Sequence, residues 1–301
     1  MRILVIGGSG QVGFELQRAL APLGELRVSS RDGRLPGGVA ALALDVADAA
    51  AVRACIEAQR PDWVVNAAAY TAVDRAEDDV EAAFKANADA VAAMAEACRA
   101  SGALLVHYST DYVFKGEAER PWREDDETAP LGVYGASKRA GELATIESGC
   151  AHVILRTAWV YAARGHNFLR TMLRLGAERP QLSVVADQRG APTPARWIAA
   201  ASAAIIAREP LAQPRELLHL SAGGECSWHE FACAIFEDAL RAGLLERAPE
   251  VRAIASSEYP TRARRPGYSR LDNSRLAQRY GLALPDWRLG LRQVLGELAP
   301  G

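Results

Sequence analysis

Arg2-Ile3-Leu4-Val5-Ile6-Gly7-Gly8-Ser9-Gly10-Gln11-Val12-Gly13-Phe14 begins as an apolar run, breaks into glycines and resumes with helical spacing. Gly8 to Gly13 fit the spacing G-x-G-x-x-G, and counting from Gly7 gives G-x-x-G-x-x-G. Small residues at these positions permit a tight turn, close approach of backbone N–H groups to a pyrophosphate, and close packing of helix on strand. The spacing alone also fits an ordinary glycine-rich turn. Its place between a strand-like run and the helical pattern of residues 14–20 points instead to a dinucleotide site that uses Gly7, Gly10, Gln11, Val12 and Gly13.

Outward from this turn, short apolar runs at residues 3–6, 26–30, 41–44, 63–66, 104–108 and 153–156 alternate with longer helical patterns. Continuous apolar runs suit strands covered on both faces, and the alternation predicts an α/β fold with a Rossmann-type, doubly wound parallel sheet. The later half is richer in proline and predicts a smaller, discontinuous α/β substrate domain. A helical pattern at 195–208 and a buried-strand pattern at 217–221 return to the first sheet. The expected division is 1–164 with 193–222 for the dinucleotide-binding domain, and 165–192 with 223–301 for the substrate-binding domain. In such folds ligands lie at the carboxyl ends of the strands.

Composition excludes several classes. The formal net charge is −2 with acids and bases interspersed, which predicts no attraction to nucleic acid or an anionic membrane. The first apolar run is too short for a signal peptide, and no stretch approaches the roughly 20 apolar residues of a membrane span, so a cytoplasmic location is expected. Five cysteines lie scattered without C-x-x-C pairs, arguing against disulfides or structural zinc and for buried small hydrophobes. The five histidines lack triad or metal spacing and read as structural.

After the second strand, the acid that usually binds a ribose hydroxyl is replaced in Ser29-Ser30-Arg31-Asp32. Ser30 beside Arg31 accommodates a 2′-phosphate, which favours NADPH, while Asp32 leaves NADH possible. Asp45 and Val46 end the third strand; they read as adenine contacts or, for Asp45, as a helix cap.

Only three of 35 basic residues are lysines, Lys85, Lys115 and Lys138. Lysine at 138, in Tyr134-Gly135-Ala136-Ser137-Lys138, therefore asks for a reason that arginine does not meet. On the predicted helix of 134–146, Tyr134 and Lys138 share a face. A free phenol has a pKa of about 10, and a nearby ammonium is expected to lower it for proton transfer at neutral pH. Thr110, closing the strand that starts at 104, adds a second hydroxyl to polarise a carbonyl. Taken alone, a tyrosine and lysine four apart fit a solvated helix pair better; the glycine turn and Ser109-Thr110-Asp111 turn the reading toward chemistry.

The combination resembles the extended short-chain dehydrogenase/reductase superfamily and, within it, the family of dTDP-4-dehydrorhamnose reductases. The likeness runs nearly the whole length, through Gly10-Gln11-Val12-Gly13, Asn66-Ala67-Ala68-Ala69-Tyr70-Thr71, His107-Tyr108-Ser109-Thr110-Asp111-Tyr112, Arg156-Thr157-Ala158-Trp159, Asn167-Phe168 and Gly190-Ala191-Pro192-Thr193. The resemblance implies Tyr134 as proton donor, Lys138 as holder of the tyrosine and the nicotinamide ribose, and Thr110 as the group that tunes the site. It also implies Thr110, Asp111 and Trp159 as sugar-nucleotide contacts, and Ala69, Tyr70, Thr71 and Tyr108 as residues lining the cofactor. The implied reaction is NAD(P)H-dependent reduction of a C4 ketone in the last step of dTDP-L-rhamnose synthesis.

Related dehydratases and epimerases are the competing reading. A dehydratase follows the strand-end threonine with an Asp-Glu pair, whereas Asp111 is followed here by Tyr112, which leaves elimination without its base. A regulatory subunit like that of methionine adenosyltransferase is the non-catalytic alternative, and the intact Thr110, Tyr134 and Lys138 set argues against it. Some members of the family bridge two subunits with magnesium on three glutamates. Glu15 and Glu297 match two of these positions, but Arg196 stands at the third, and a fixed cation cannot ligate a divalent ion. That leaves a homodimer without metal, with Arg196 pairing a glutamate across the interface. Tyr268 replaces the family's usual asparagine in a substrate-proximal loop. Trp159 also fits a core aromatic, and Arg262, Arg264 and Arg265 fit either a diphosphate contact or a solvated loop.

Overall fold

A computed structural model describes residues 1–209 and 213–299. Residues 210–212, with Pro210, and 300–301 fall inside the two expected domains and lie outside the described residues. Six strands, β1 (Arg2–Ile6), β2 (Glu25–Ser30), β3 (Leu42–Ala43), β4 (Trp63–Asn66), β5 (Leu104–Thr110) and β6 (His152–Thr157), join Arg215–His219 in one sheet. Its order is Arg215–His219, β6, β5, β4, β1, β2, β3, with every pairing parallel. The chain moves outward from β1 to β3 and then crosses back for β4, so the topological switch point lies beside the carboxyl end of β1.

Alternation along β1 explains the two covered faces. Ile3 and Val5 pack with Leu16 and Leu20 of the helix Gln11–Leu20 and with Ile198 and Ile205 of the helix Ala195–Arg208. Leu4 and Ile6 point the other way, toward Val52 and Ile56 of Ala49–Gln59 and Met94 of Ala90–Ser101. Central strands β4, β5 and β6 are buried along their length, whereas β2 and Arg215–His219 are part-exposed. The final sheet strand occupies 215–219 rather than 217–221, and the first helix starts at Gln11, ahead of its apolar periodicity.

A second core gathers Leu169, Met172, Phe231, Ile235, Phe236, Trp287 and Leu291 from the helices Phe168–Glu178, Trp228–Arg241 and Trp287–Gly296. A parallel pair, Gln181–Val185 with Glu250–Ile254, contributes Leu182 and Val184. Ser227 and Glu230 form a capping box that starts the helix Trp228–Arg241. Leu276 and Tyr280, late in the chain, return to the first core. All five cysteines are free, but only Cys98, Cys150 and Cys226 are buried; Cys55 is half-buried and Cys233 is exposed, 3.7 Å from His229 Nε2. No helix among the described residues is long and apolar enough to cross a membrane.

Candidate active site

At the switch point, Gly7 takes φ +86°, and a Cβ on Gly13 would lie 2.1 Å from the Gly7 carbonyl oxygen. Glycine is therefore required for the turn and helix to meet. Gly10 caps the helix without a side-chain bond, leaving the first-turn N–H groups of Gln11 and Val12 for an anion. Asp32 turns back on its own loop, accepting from Ser30 Oγ at 3.1 Å and Arg34 N at 3.2 Å. Those two bonds hold its carboxyl below the usual range, the Arg34 backbone bond first. Ser30 is buried with its hydroxyl inside this loop, while Arg31 beside it is exposed, as are Asp32 and Arg34. Arg31→Ala is expected to cut the preference for NADPH over NADH by about tenfold or more, as for loss of one charge-assisted hydrogen bond; paired cofactor titrations read it.

The cap suggested for Asp45 belongs to Asp48, which accepts from Ala50 N and Ala51 N, while Asp45 closes a turn through Ala47 N. Val46 packs on the second face of the sheet, beside Leu42 and Ala49. Ala69 and Thr71 are exposed, and Tyr70 between them is clamped by Asn87, whose Oδ1 accepts from Tyr70 N at 2.8 Å and whose Nδ2 donates to Tyr70 O at 3.0 Å. The Tyr70 hydroxyl donates to Asp79. Asn87 also donates to Ser137 Oγ, which in turn donates to the Tyr134 carbonyl. Sequence reasoning missed Asn87, a buried residue in the π-helical stretch Lys85–Asp89; such a bulge in a helix frequently marks a functional site.

The helix Val133–Ser148 lies hard against the turn that follows β5, where a Cβ on Gly135 would come within 2.2 Å of the Tyr112 carbonyl oxygen. This contact seats Tyr134 with its ring edge-on to Tyr112, centroids 5.4 Å apart. Tyr134 is only partly shielded, yet its surroundings push the phenol up to about 12; burial dominates, the Thr110 hydroxyl opposes it and the Asp111 charge adds to it. The expected lowering by Lys138 is absent because that side chain is turned to the sheet: its Nζ donates to the Tyr108 carbonyl at 2.6 Å and lies 3.4 Å from His107 Nε2. Lys138 is 2% exposed, and burial brings it down to about 8 against the opposing pull of Glu142.

Thr110 donates to Asp111 Oδ1 at 3.0 Å and accepts from Tyr112 N at 3.2 Å. Asp111 is buried and pushed up to about 7 by that burial, with Thr110 opposing, and its second oxygen has no protein partner among the described residues. Trp159 adopts φ +49°, a left-handed conformation rare outside glycine. It stacks on Trp228 at 3.5 Å and donates to Ser269 Oγ, so this part-exposed ring is fixed from two sides rather than lost in a core.

Several expectations change. Tyr108 does not present its ring to the site: it is buried in the first core with its hydroxyl 2.7 Å from Ser202 Oγ, and only its carbonyl serves, on Lys138. His107, read as structural from the sequence, lies with its Nε2 3.4 Å from Lys138 Nζ. Arg262, Arg264 and Arg265 face Asp78, Glu117 and Asp74 rather than forming a free basic cluster. Tyr268 donates to Glu225, which also pairs with Arg189 and Arg270. Arg196 pairs with Glu297 of its own chain, and Glu15 with Arg18, so these positions do not fit a divalent cation.

A family model described as the RmlD substrate binding domain matches residues 1–299. The chain is 46% identical over 304 residues to a dTDP-4-dehydrorhamnose reductase of Shigella flexneri, covering 99% of this chain and 98% of that protein. It is 47% identical over 305 residues to one from Burkholderia thailandensis, covering 99% of each. The crystal structure of dTDP-4-dehydrorhamnose reductase from Bacillus anthracis in complex with NADP has a TM-score of 0.87 at 34% identity, covering 98% of this chain and 99% of that one. With the glycine turn, Thr110, Tyr134 and Lys138 in place, this full-length match makes the chain a member of the RmlD substrate binding domain family.

Proposed function

We propose that this chain reduces the C4 ketone of dTDP-4-dehydro-L-rhamnose with NADPH to give dTDP-L-rhamnose. The observation that carries the reading is the meeting of Thr110, at the end of β5, with Tyr134 on the adjoining helix that also carries Lys138, on the same carboxyl edge of the sheet as a glycine turn shaped for a dinucleotide. The glycine turn and the exposed Arg31 fit the pyrophosphate and 2′-phosphate of NADPH, which supplies the hydride when bound. Tyr134, protonated at neutral pH, gives its proton to the oxygen that was the ketone. Thr110 orients that oxygen with a second hydroxyl, Asp111 and Trp159 hold the sugar nucleotide, and Lys138 serves Tyr134.

Tyr112 stands where elimination would require an acid, and reduction needs none there. Residues 1–164 with 193–222 hold the cofactor, and 165–192 with 223–301 close over the substrate. The assembly we expect is a cytoplasmic homodimer without a bridging metal. A relative from Streptomyces antibioticus, 40% identical, is named a probable dTDP-4,6-dihydroxy-2-methyloxan-3-one 4-ketoreductase, so the sugar itself is the point to test. Initial rates with a panel of nucleotide-linked 4-keto sugars, each with NADH and NADPH, are expected to be highest for dTDP-4-dehydro-L-rhamnose with NADPH. A higher rate with another nucleotide or sugar would redirect the assignment within the superfamily.

A further inference from the structure

His107 is fully buried on β5, opposite Asn66 of β4 in the strand register. The backbone fixes which way the Asn66 amide points. Its Oδ1 accepts from Ala68 N at 3.0 Å, so Nδ2 is the end that meets His107 Nδ1 at 3.1 Å. A reversed amide would set one donor against another. His107 Nδ1 is therefore an acceptor. Burial, with the charge of Lys138 adding to it, holds this imidazole well below its usual pKa and therefore neutral. A neutral ring with an accepting Nδ1 carries its one proton on Nε2, the atom 3.4 Å from Lys138 Nζ.

We propose that His107 is a positioning residue for Lys138: held by Asn66 in the Nε2–H tautomer, it turns a donor toward the lysine nitrogen and keeps that lysine from being a permanent ammonium. An ammonium has three donors and no lone pair, so only the neutral amine accepts from Nε2–H. The groups facing Lys138 balance one another. On its own helix stand Tyr134 and Glu142, the carboxylate favouring the ammonium although it is bound to Arg156 of β6 and to Arg139. On β5 stand His107 and Tyr108, whose phenol is turned away to Ser202, with Asp111 just beyond the strand. Burial favours the neutral amine more than Glu142 favours the ammonium, and the proposed Nε2–H of His107 acts in the same direction as burial.

The consequence extends the proposed reduction and rests on it. Each turnover takes one hydride and one proton, and the proton leaves Tyr134 Oη for the new hydroxyl. The charge state of Lys138, one helical turn from Tyr134, then sets the basic limb of kcat/KM.

The chain's three lysines make the test direct: Lys85 and Lys115 are exposed and Lys138 is buried. Carbon-13 label at lysine Cε gives three resonances, and Lys138→Arg identifies the third. In His107→Gln the side-chain oxygen is free to accept from the ammonium. The Lys138 midpoint is expected to rise by about one pH unit, with Lys85 and Lys115 unmoved and the basic limb of kcat/KM for reduction moving up with it. An unmoved Lys138 midpoint in folded His107→Gln overturns the proposal. Where that variant does not fold, nitrogen-15 NMR of the wild-type protein reads the tautomer: a proton on Nε2 of His107 supports the assignment, and one on Nδ1 overturns it. These NMR readouts need no substrate, so they stand apart from any failure of the proposed reaction.

Discussion

Tyr134→Phe is expected to lower kcat by at least about 100-fold, the lower range for general acid catalysis, while leaving NADPH affinity near that of the wild type. The substitution removes one oxygen and preserves the ring that meets Tyr112 edge-on. Thr110 does not take over, because an aliphatic hydroxyl is a far weaker acid than a phenol. Lys138 does not either, with its nitrogen turned to the Tyr108 carbonyl. Steady-state rates with cofactor titration by fluorescence separate the two effects. A variant retaining near wild-type rates would remove Tyr134 as the proton donor.

The largest effect on stability is expected at Arg156. Its Nε and Nη2 donate to Glu142 Oε1 and Oε2 at 2.7 and 2.8 Å, with side-chain exposures of 2% and 0%. This pair ties β6 to the helix that carries Tyr134 and Lys138. Arg156→Leu strands a buried carboxylate, and such losses run to about 3–5 kcal/mol. Arg139, 3.1 Å from the same carboxylate but partly exposed, retains one contact and places the expectation at the low end of that range. Denaturant unfolding measures it. Replacing both partners together, as Arg156→Met with Glu142→Leu, is expected to restore most of the loss, because no charge is then left unpaired.

How far the sequence reveals this site follows from the range of the interactions. The glycine turn is legible because its requirement is local, and Tyr134 with Lys138 because four residues make one turn of helix. The strand runs are legible because central parallel strands are apolar on both faces. Asn87 is not, since its partners, Tyr70 and Ser137, lie 17 and 50 residues away in sequence. His107 is invisible for a similar reason, because only the pairing of β4 with β5 sets it against Asn66. Tyr108 was within reach: next to His107 on a strand, it points to the opposite face, into the core. The Tyr134 phenol is pushed up rather than down because burial, which spacing does not encode, outweighs a lysine that faces elsewhere.

The central claim is reduction of a sugar-nucleotide ketone, and the most direct measurement is NADPH absorbance after adding dTDP-4-dehydro-L-rhamnose to the folded protein. Loss of one NADPH for each dTDP-L-rhamnose formed is the expected result. No loss of NADPH, with the protein folded and the cofactor bound, would contradict it.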